Sequence, residues 1–151
     1  MIKNMFDRKE ADYLLARLDK LFAESRPEWG KMDAAQMLAH LNVQFEMVYS
    51  DVHPKATGVK KFLLKLFVKN GVVNEKPYPK NSRTAPAFIQ ISNKNFEKEK
   101  ERLVDFINKT QKLGESSFEG RESNSFGVLT VKEWNNSFVK HMDHHFIQFG
   151  V

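Results

Sequence analysis

Apolar side chains recur along this chain mostly every three or four positions, the spacing of helices that bury one stripe. The first such stretch predicts a helix from about Asp7 to Ala23. Leu14, Leu15, Leu18, Leu21 and Phe22 share one side of it, and the turn Ser25-Arg26-Pro27 follows. A second helix is predicted from Asp33 to about Tyr49. Asp33 and Gln36 have capping-box spacing, and Met37, Leu38, Leu41, Phe45 and Val48 form the stripe. A third spans about Asn95 to Leu113, with Phe96, Leu103, Phe106, Ile107 and Thr110 inward and Gly114 placed to end it. The last starts after Thr130, which has capping-box spacing to Glu133, and runs to about Gln148.

Between Ser50 and Ser92 the period breaks under Pro54, Gly58, Gly71, Pro77, Pro79 and Pro86. One short amphipathic helix, about Val59 to Asn70, is predicted inside this connection. Lys60, Lys61, Lys65 and Lys69 lie opposite Phe62, Leu63, Leu66 and Phe67, which reads as a solvated basic face over a docked apolar one, ahead of the alternative that such a helix touches a membrane surface or an acidic partner. Ala87 to Ile91 is the best strand candidate and is too short to build a sheet. Four long amphipathic helices in 151 residues must bury their stripes against one another. The expected fold is therefore a single all-α domain over residues 1–151, a four-helix bundle with a long crossover that contains the short extra helix.

Composition narrows the chemistry. The chain has no cysteine, which excludes disulfides, thiolate metal sites and a protein-borne thiol nucleophile and suits a reducing, cytoplasmic setting. Charges interrupt the first fifteen residues, so no signal peptide is expected, and no apolar run is long enough to span a membrane. A net charge of +5 does not by itself call for nucleic acid. No stacking aromatics interleave with Lys55, Lys76 and Lys80, so no nucleic-acid partner is expected.

The candidate chemistry lies in histidine. Three of the five fall in His141-Met142-Asp143-His144-His145. On a helical wheel Val131, Trp134, Phe138, Met142 and Phe149 define the apolar arc. His145 falls inside it, His141 lies about 40° away on its margin, and His144 is well off it. His40 sits on the shoulder of the second helix's stripe, one turn before Gln44. A third imidazole from a facing helix is what an H-x-x-x-H pair needs to hold a metal, and three ligands with a vacancy are typical of a catalytic site. Gln148, beside His141 on the wheel, is placed to bind or orient. The residues alone leave a second reading open: histidines packed near a helix C-terminus, where the dipole favours them. His53 reads as an exposed loop residue and His144 as a neighbour rather than a ligand. Ser137 and His141 are also four apart, but no oxyanion hole or orienting carboxylate accompanies them.

Trp29-Gly30-Lys31-Met32 followed by Ala34-Ala35-Gln36-Met37-Leu38-Ala39-His40-Leu41 resembles the second-helix signature of the DinB-like superfamily. Phe126-Gly127-Val128-Leu129-Thr130, Glu133-Trp134 and the segment from His141 to Val151 resemble the C-terminal signature of one uncharacterised, domain-of-unknown-function branch of it. The resemblance is specific at the two ends and vague between them. It implies up-down-down-up topology and a divalent metal, with zinc, nickel or iron first in line, on His40, His141 and His145. The branch tends to carry His-Pro before its Phe-Gly turn. Here Ser123-Asn124-Ser125 stands there, which puts the shape of the pocket mouth in doubt.

Some characterised relatives in that superfamily are metal-dependent transferases or isomerases that use a small-molecule thiol. The resemblance thus implies a low-molecular-weight thiol and a small-molecule substrate, with Gln44 and Gln148 orienting groups and Trp134, Phe138 and His144 around the pocket. A metal-dependent hydrolase uses the same parts. A non-catalytic metal- or ligand-binding bundle and a homodimer with merely packed histidines are the competing readings.

Overall fold

The computed structural model describes residues 2–151, which are mostly helical with very little sheet. Six α-helices follow in order: α1 (Arg8–Leu18), α2 (Ala34–Tyr49), α3 (Gly58–Leu63), α4 (Lys69–Val73), α5 (Phe96–Leu113) and α6 (Val131–Gln148). A π-helical turn, Leu64–Val68, joins α3 to α4.

The helix starts obey the sequence. Asp33 accepts from the Gln36 backbone N–H while the Gln36 side chain accepts from Asp33 N–H, and Thr130 and Glu133 make the same reciprocal pair. Asn95 caps α5, which ends at Gly114 with φ of 70°. The first helix is shorter than its periodicity suggests. After Leu18 the chain tightens into i→i+3 turns, Lys20 to Arg17 and Leu21 to Leu18. That swings Leu21 fully into the core and leaves Phe22 outside. Lys100 Nζ donates to the freed Leu21 carbonyl.

α2 packs most extensively on α5; α1 also lies on α5, and α6 meets both α2 and α4. At the α2–α5–α6 contact, Phe45 is fully buried between Phe106 and Phe138, with ring centroids 5.4 and 5.0 Å away. Phe138 in turn stacks on Trp134, and Phe118 meets both edge-on. Polar residues are buried in this helix interface too. Asn42 Nδ2 donates to the Glu99 carboxylate at 2.8 Å, and Arg102 bridges Glu99 to Glu46.

Residues 87–91, too short to build a sheet, form no strand, and a 3₁₀ turn, Pro86–Phe88, stands there. The helix near residue 60 differs from expectation: it is turned over. Lys61 and Lys69 point back to pair with Glu122 and Glu133, and the apolar side faces outward. These ion pairs, with the Lys140 and Asn136 bonds to the Gly71, Val73 and Asn74 carbonyls, accompany that orientation. The Ser123-Asn124-Ser125 stretch forms the tip of a short hairpin, β1 (Glu122–Ser123) and β2 (Gly127–Val128). Asn124 Nδ2 donates to the His53 carbonyl and Asn124 O accepts from Ala56, so the hairpin holds the start of the connection.

Replacing Phe45 by Ala removes the middle ring of the stack. We expect a loss of about 3–5 kcal/mol and a melting midpoint lowered by about 10 °C. Phe22→Ala, at an exposed position, should cost less than about 0.5 kcal/mol. Thermal melts of the two variants check both.

Candidate metal centre

α2 and α6 bring His40, His141 and His145 together. One nitrogen from each ring lies within 4.8 Å of the others. The ring centroids are 4.6 to 5.0 Å apart, and the Nε2 atoms of His40 and His141 are 2.8 Å apart. His40 and His145 are buried, and His141 is largely so.

The proton on each ring is set by what touches its Nδ1. His40 Nδ1 donates to the Phe88 backbone carbonyl at 2.9 Å, a pure acceptor. His145 Nδ1 donates to Gln148 Oε1 at 2.7 Å. That amide cannot be turned over, because its Nε2 donates to the Trp29 carbonyl. His141 Nδ1 donates to Gln44 Oε1 at 3.0 Å, while Gln44 Nε2 donates to Ser137 Oγ at 2.7 Å. With all three protons directed outward, three bare Nε2 lone pairs converge. A cation satisfies that arrangement, and burial of bare nitrogens without a partner does not. Turning the Gln44 amide over, with Ser137 as donor, is the one rearrangement that lets His141 donate to His40. It leaves the protons of His40 and His145 where they are.

The donor set fits a divalent ion. Two imidazole nitrogens at about 2.0–2.1 Å from one metal lie roughly 3–3.5 Å apart. The observed spread, 2.8 Å for the closest pair and no more than 4.8 Å overall, reaches that by small side-chain rotations. All three ligands are neutral, the set that suits zinc, nickel, iron and copper.

Burial shapes the electrostatics. It pushes all three imidazole pKa values down, and the neighbouring rings add to the effect. His145 falls to about 3, and His141 lies well below the ordinary histidine range. The rings therefore stay neutral at pH values where a free histidine is half protonated.

The residues expected around the pocket divide in two. Gln44 and Gln148 hold the rings. Trp134 and Phe138 do not border the imidazoles. They lie in the aromatic core, with Trp134 Nε1 donating to the Arg121 carbonyl. The rings next to the imidazoles are Phe88, 5.3 Å from His40, and Tyr78, 6.5 Å from His141. His144 turns away, as the wheel places it. It packs against Tyr78 and Trp29 and lines a cavity of about 450 Å³ between α6 and the segments carrying Tyr13, Trp29 and Tyr78. Burial lowers its pKa as well. His53 is not exposed; its Nε2 meets the Glu46 carboxylate at 2.7 Å. Ser137 contacts Gln44 rather than His141, so no nucleophile–base pair forms there. The 123–125 hairpin precedes Thr130, and His141 follows eleven residues later, about 16 Å along α6. It therefore does not border the imidazoles.

Gly30 is a site residue that sequence reasoning passed over, although it lies within the quoted Trp29–Met32 signature. Its φ is +87°, and a Cβ there would sit 2.6 Å from Gln148 Nε2. Only glycine lets Gln148 reach past it to the Trp29 carbonyl.

The metal-free protein should be acid-sensitive in a definite window. An unfolded imidazole titrates near 6.5, and His145 in the fold near 3. Below 6.5 the unfolded chain takes up a proton that the folded protein refuses. The stability contribution is therefore complete above that value and is lost as pH falls towards 3. His145 alone should cost roughly 2 kcal/mol by pH 5. Urea midpoints of chelated protein between pH 8 and pH 5 measure this, and His145→Leu should flatten the slope.

In comparison with known proteins, no protein-family model, curated protein or solved structure matches this chain.

Proposed function

We propose that this protein is a metal-binding four-helix bundle of the DinB-like kind, with up-down-down-up topology, holding one divalent ion on Nε2 of His40, His141 and His145. The bundle consists of α1, α2, α5 and α6, and the connection carrying α3 and α4 is its crossover. The single observation that supports the metal most is the acceptor beside Nδ1 of His40 and of His145, a backbone carbonyl for one and the Gln148 Oε1 held in place by the Trp29 carbonyl for the other, which leaves both Nε2 atoms bare toward the cluster. Ligating histidines ordinarily donate their other ring nitrogen to such an acceptor.

We further propose that the site serves a transferase or isomerase reaction with a low-molecular-weight thiol. When bound, a divalent ion on three neutral imidazoles supplies a Lewis acid that lowers the pKa of water or a thiol to near neutrality. The chain's own residues bind and orient. Gln44 and Gln148 fix the planes of His141 and His145, and Phe88 and Tyr78 pack beside the rings. Burial raises the Tyr78 hydroxyl pKa to about 12, so it stays a proton donor. The thiol has to come from outside, because the chain has no cysteine. A second reading, a non-catalytic metal-binding protein, draws on the cluster itself: among the described residues it holds only imidazoles, with no carboxylate to serve as general base.

Gently purified protein should contain about one divalent ion per chain by elemental analysis. His40→Ala, His141→Ala and His145→Ala should each sharply reduce it, while His144→Ala should leave most of it. At a hundredfold excess over Kd the metal should add roughly 3 kcal/mol of stability. Metal-free protein whose melting midpoint ignores every added divalent ion would refute the reading. Turnover with a thiol and an electrophilic substrate then separates the enzyme from the binding protein.

The Gly30 contact gives an independent check. Gly30→Ala should displace Gln148 and weaken metal binding about 10- to 100-fold, as Gln148→Ala should. Competition titration against a chromophoric chelator reads both. Wild-type affinity in both variants would mean that Gln148 does not position His145.

A further inference from the structure

The outward apolar side of the crossover has no partner within the described chain. Val59, Phe62, Leu63, Leu66 and Phe67 follow one another at helical spacing and share one face. Val59 is 74% exposed, Phe62 63% and Phe67 73%, and no residue of α3 or the π turn is buried. Contiguous exposed apolar surface of this kind marks an interaction site.

The orientation is fixed from behind. Lys61 pairs with Glu122 at 2.5 Å and Lys69 with Glu133 at 2.7 Å. Lys140 Nζ donates to the Gly71 and Asn74 carbonyls, and Asn136 Nδ2 to the Val73 carbonyl. The helix is therefore held on the body by its polar side, with the apolar side presented.

Charge indicates what it meets. Residues 54–86 contain eight Lys and Arg against one acid, Glu75, and Glu75 is held by Lys132. This connection thus carries more positive charge than the whole chain's net +5, and the remainder is net negative. Lys60 and Lys65 flank the apolar face and have no acidic partner among the described residues. Apolar residues with aromatic anchors, rimmed by unpaired lysines, are what a helix lying in an anionic membrane interface presents. Among the described residues no helix is long and apolar enough to cross a bilayer.

We propose that α3, the π turn and α4 form a docking face for an anionic lipid surface. Val59, Phe62, Leu63, Leu66 and Phe67 enter the headgroup–acyl boundary, and Lys60 and Lys65 meet the lipid phosphates. A second copy of the chain suits the face less well. Two-fold pairing would bring the lysine rims together with no acid on the face to meet them.

The test is co-sedimentation of the full chain with vesicles of phosphatidylcholine alone and of phosphatidylcholine with about 30% phosphatidylserine. Binding should be about tenfold or more stronger to the anionic vesicles and should fall steeply as salt approaches about 1 M. Lys60→Glu with Lys65→Glu, and separately Phe62→Ser with Phe67→Ser, should each reduce partitioning about tenfold or more without moving the melting midpoint. Phe22→Ser, at an exposed apolar position elsewhere, should leave it unchanged. No binding by the wild-type protein, or equal binding to neutral and anionic vesicles, would overturn the proposal. A dimer in sedimentation velocity that Phe62→Ser with Phe67→Ser converts to monomer would overturn it too, by giving the face to a second copy.

Discussion

Three imidazoles share one small buried volume here with each Nδ1 turned to an acceptor outside it, and much of the local structure follows from that. Each ring needs an acceptor on its far side. The Pro86–Phe88 turn supplies one from the backbone, and Gln44 supplies one from the same face of α2 as His40. Gln148 supplies the third, one turn below His145, and needs its own acceptor from the Trp29 peptide. Trp29 can offer that carbonyl because Gly30 leaves room and takes a backbone conformation that other residues rarely adopt. A chain of dependence therefore runs from a loop glycine to an imidazole 115 residues away, through the space Gly30 leaves and then two hydrogen bonds.

The surrounding core makes such precision possible. The Phe106–Phe45–Phe138 stack sets the distance between α2, α5 and α6, and so between His40 and the α6 pair. The C-terminal end of α6 is held independently of the imidazoles. Arg17 pairs with Asp143 and donates to the Val151 carbonyl, and Glu28 N–H donates to the Gln148 carbonyl. α6 does not depend on an ion to remain in place, so an ion would add to an existing scaffold rather than create it.

What the sequence made legible was local or periodic. Both capping boxes, the Asn95 and Gly114 ends of α5, and the inward pair His141 and His145 follow from spacing within one helix. The third imidazole was legible because the shoulder of a stripe is where a polar group can meet a facing helix. What was not legible depends on long-range partners. The early end of α1 is decided by where Leu21 finds its cavity. Trp134 and Phe138 look like pocket walls on a wheel, yet they point to Phe118 and Phe45, which a wheel cannot show. His53 reads as exposed until Glu46 and Arg102 are placed beside it. The orientation of the short helix was missed for the same reason: amphipathicity gives an axis, and long-range partners such as Glu122, Glu133, Asn136 and Lys140 lie on the side that faces inward.

That reversal connects the two unusual features of the molecule through one helix. Successive turns of α6 carry Glu133, Asn136 and Lys140 on one side, and these hold α4 and its neighbours by an ion pair and by carbonyl acceptors. The next residue, His141, begins the imidazole pair. Lys140 shows how firm the joint is. It is buried, with its pKa lowered to about 8 by desolvation, and it spends its donors on the Gly71 and Asn74 carbonyls and on Asn74 Oδ1. A buried ammonium without those acceptors would be strongly destabilising. The connection carrying α3 and α4 is therefore bound to α6 by polar contacts, and its apolar side is left outward. One side of α6 orders the imidazoles and the other orders the surface, and a shift of the helix along its axis would disturb both together.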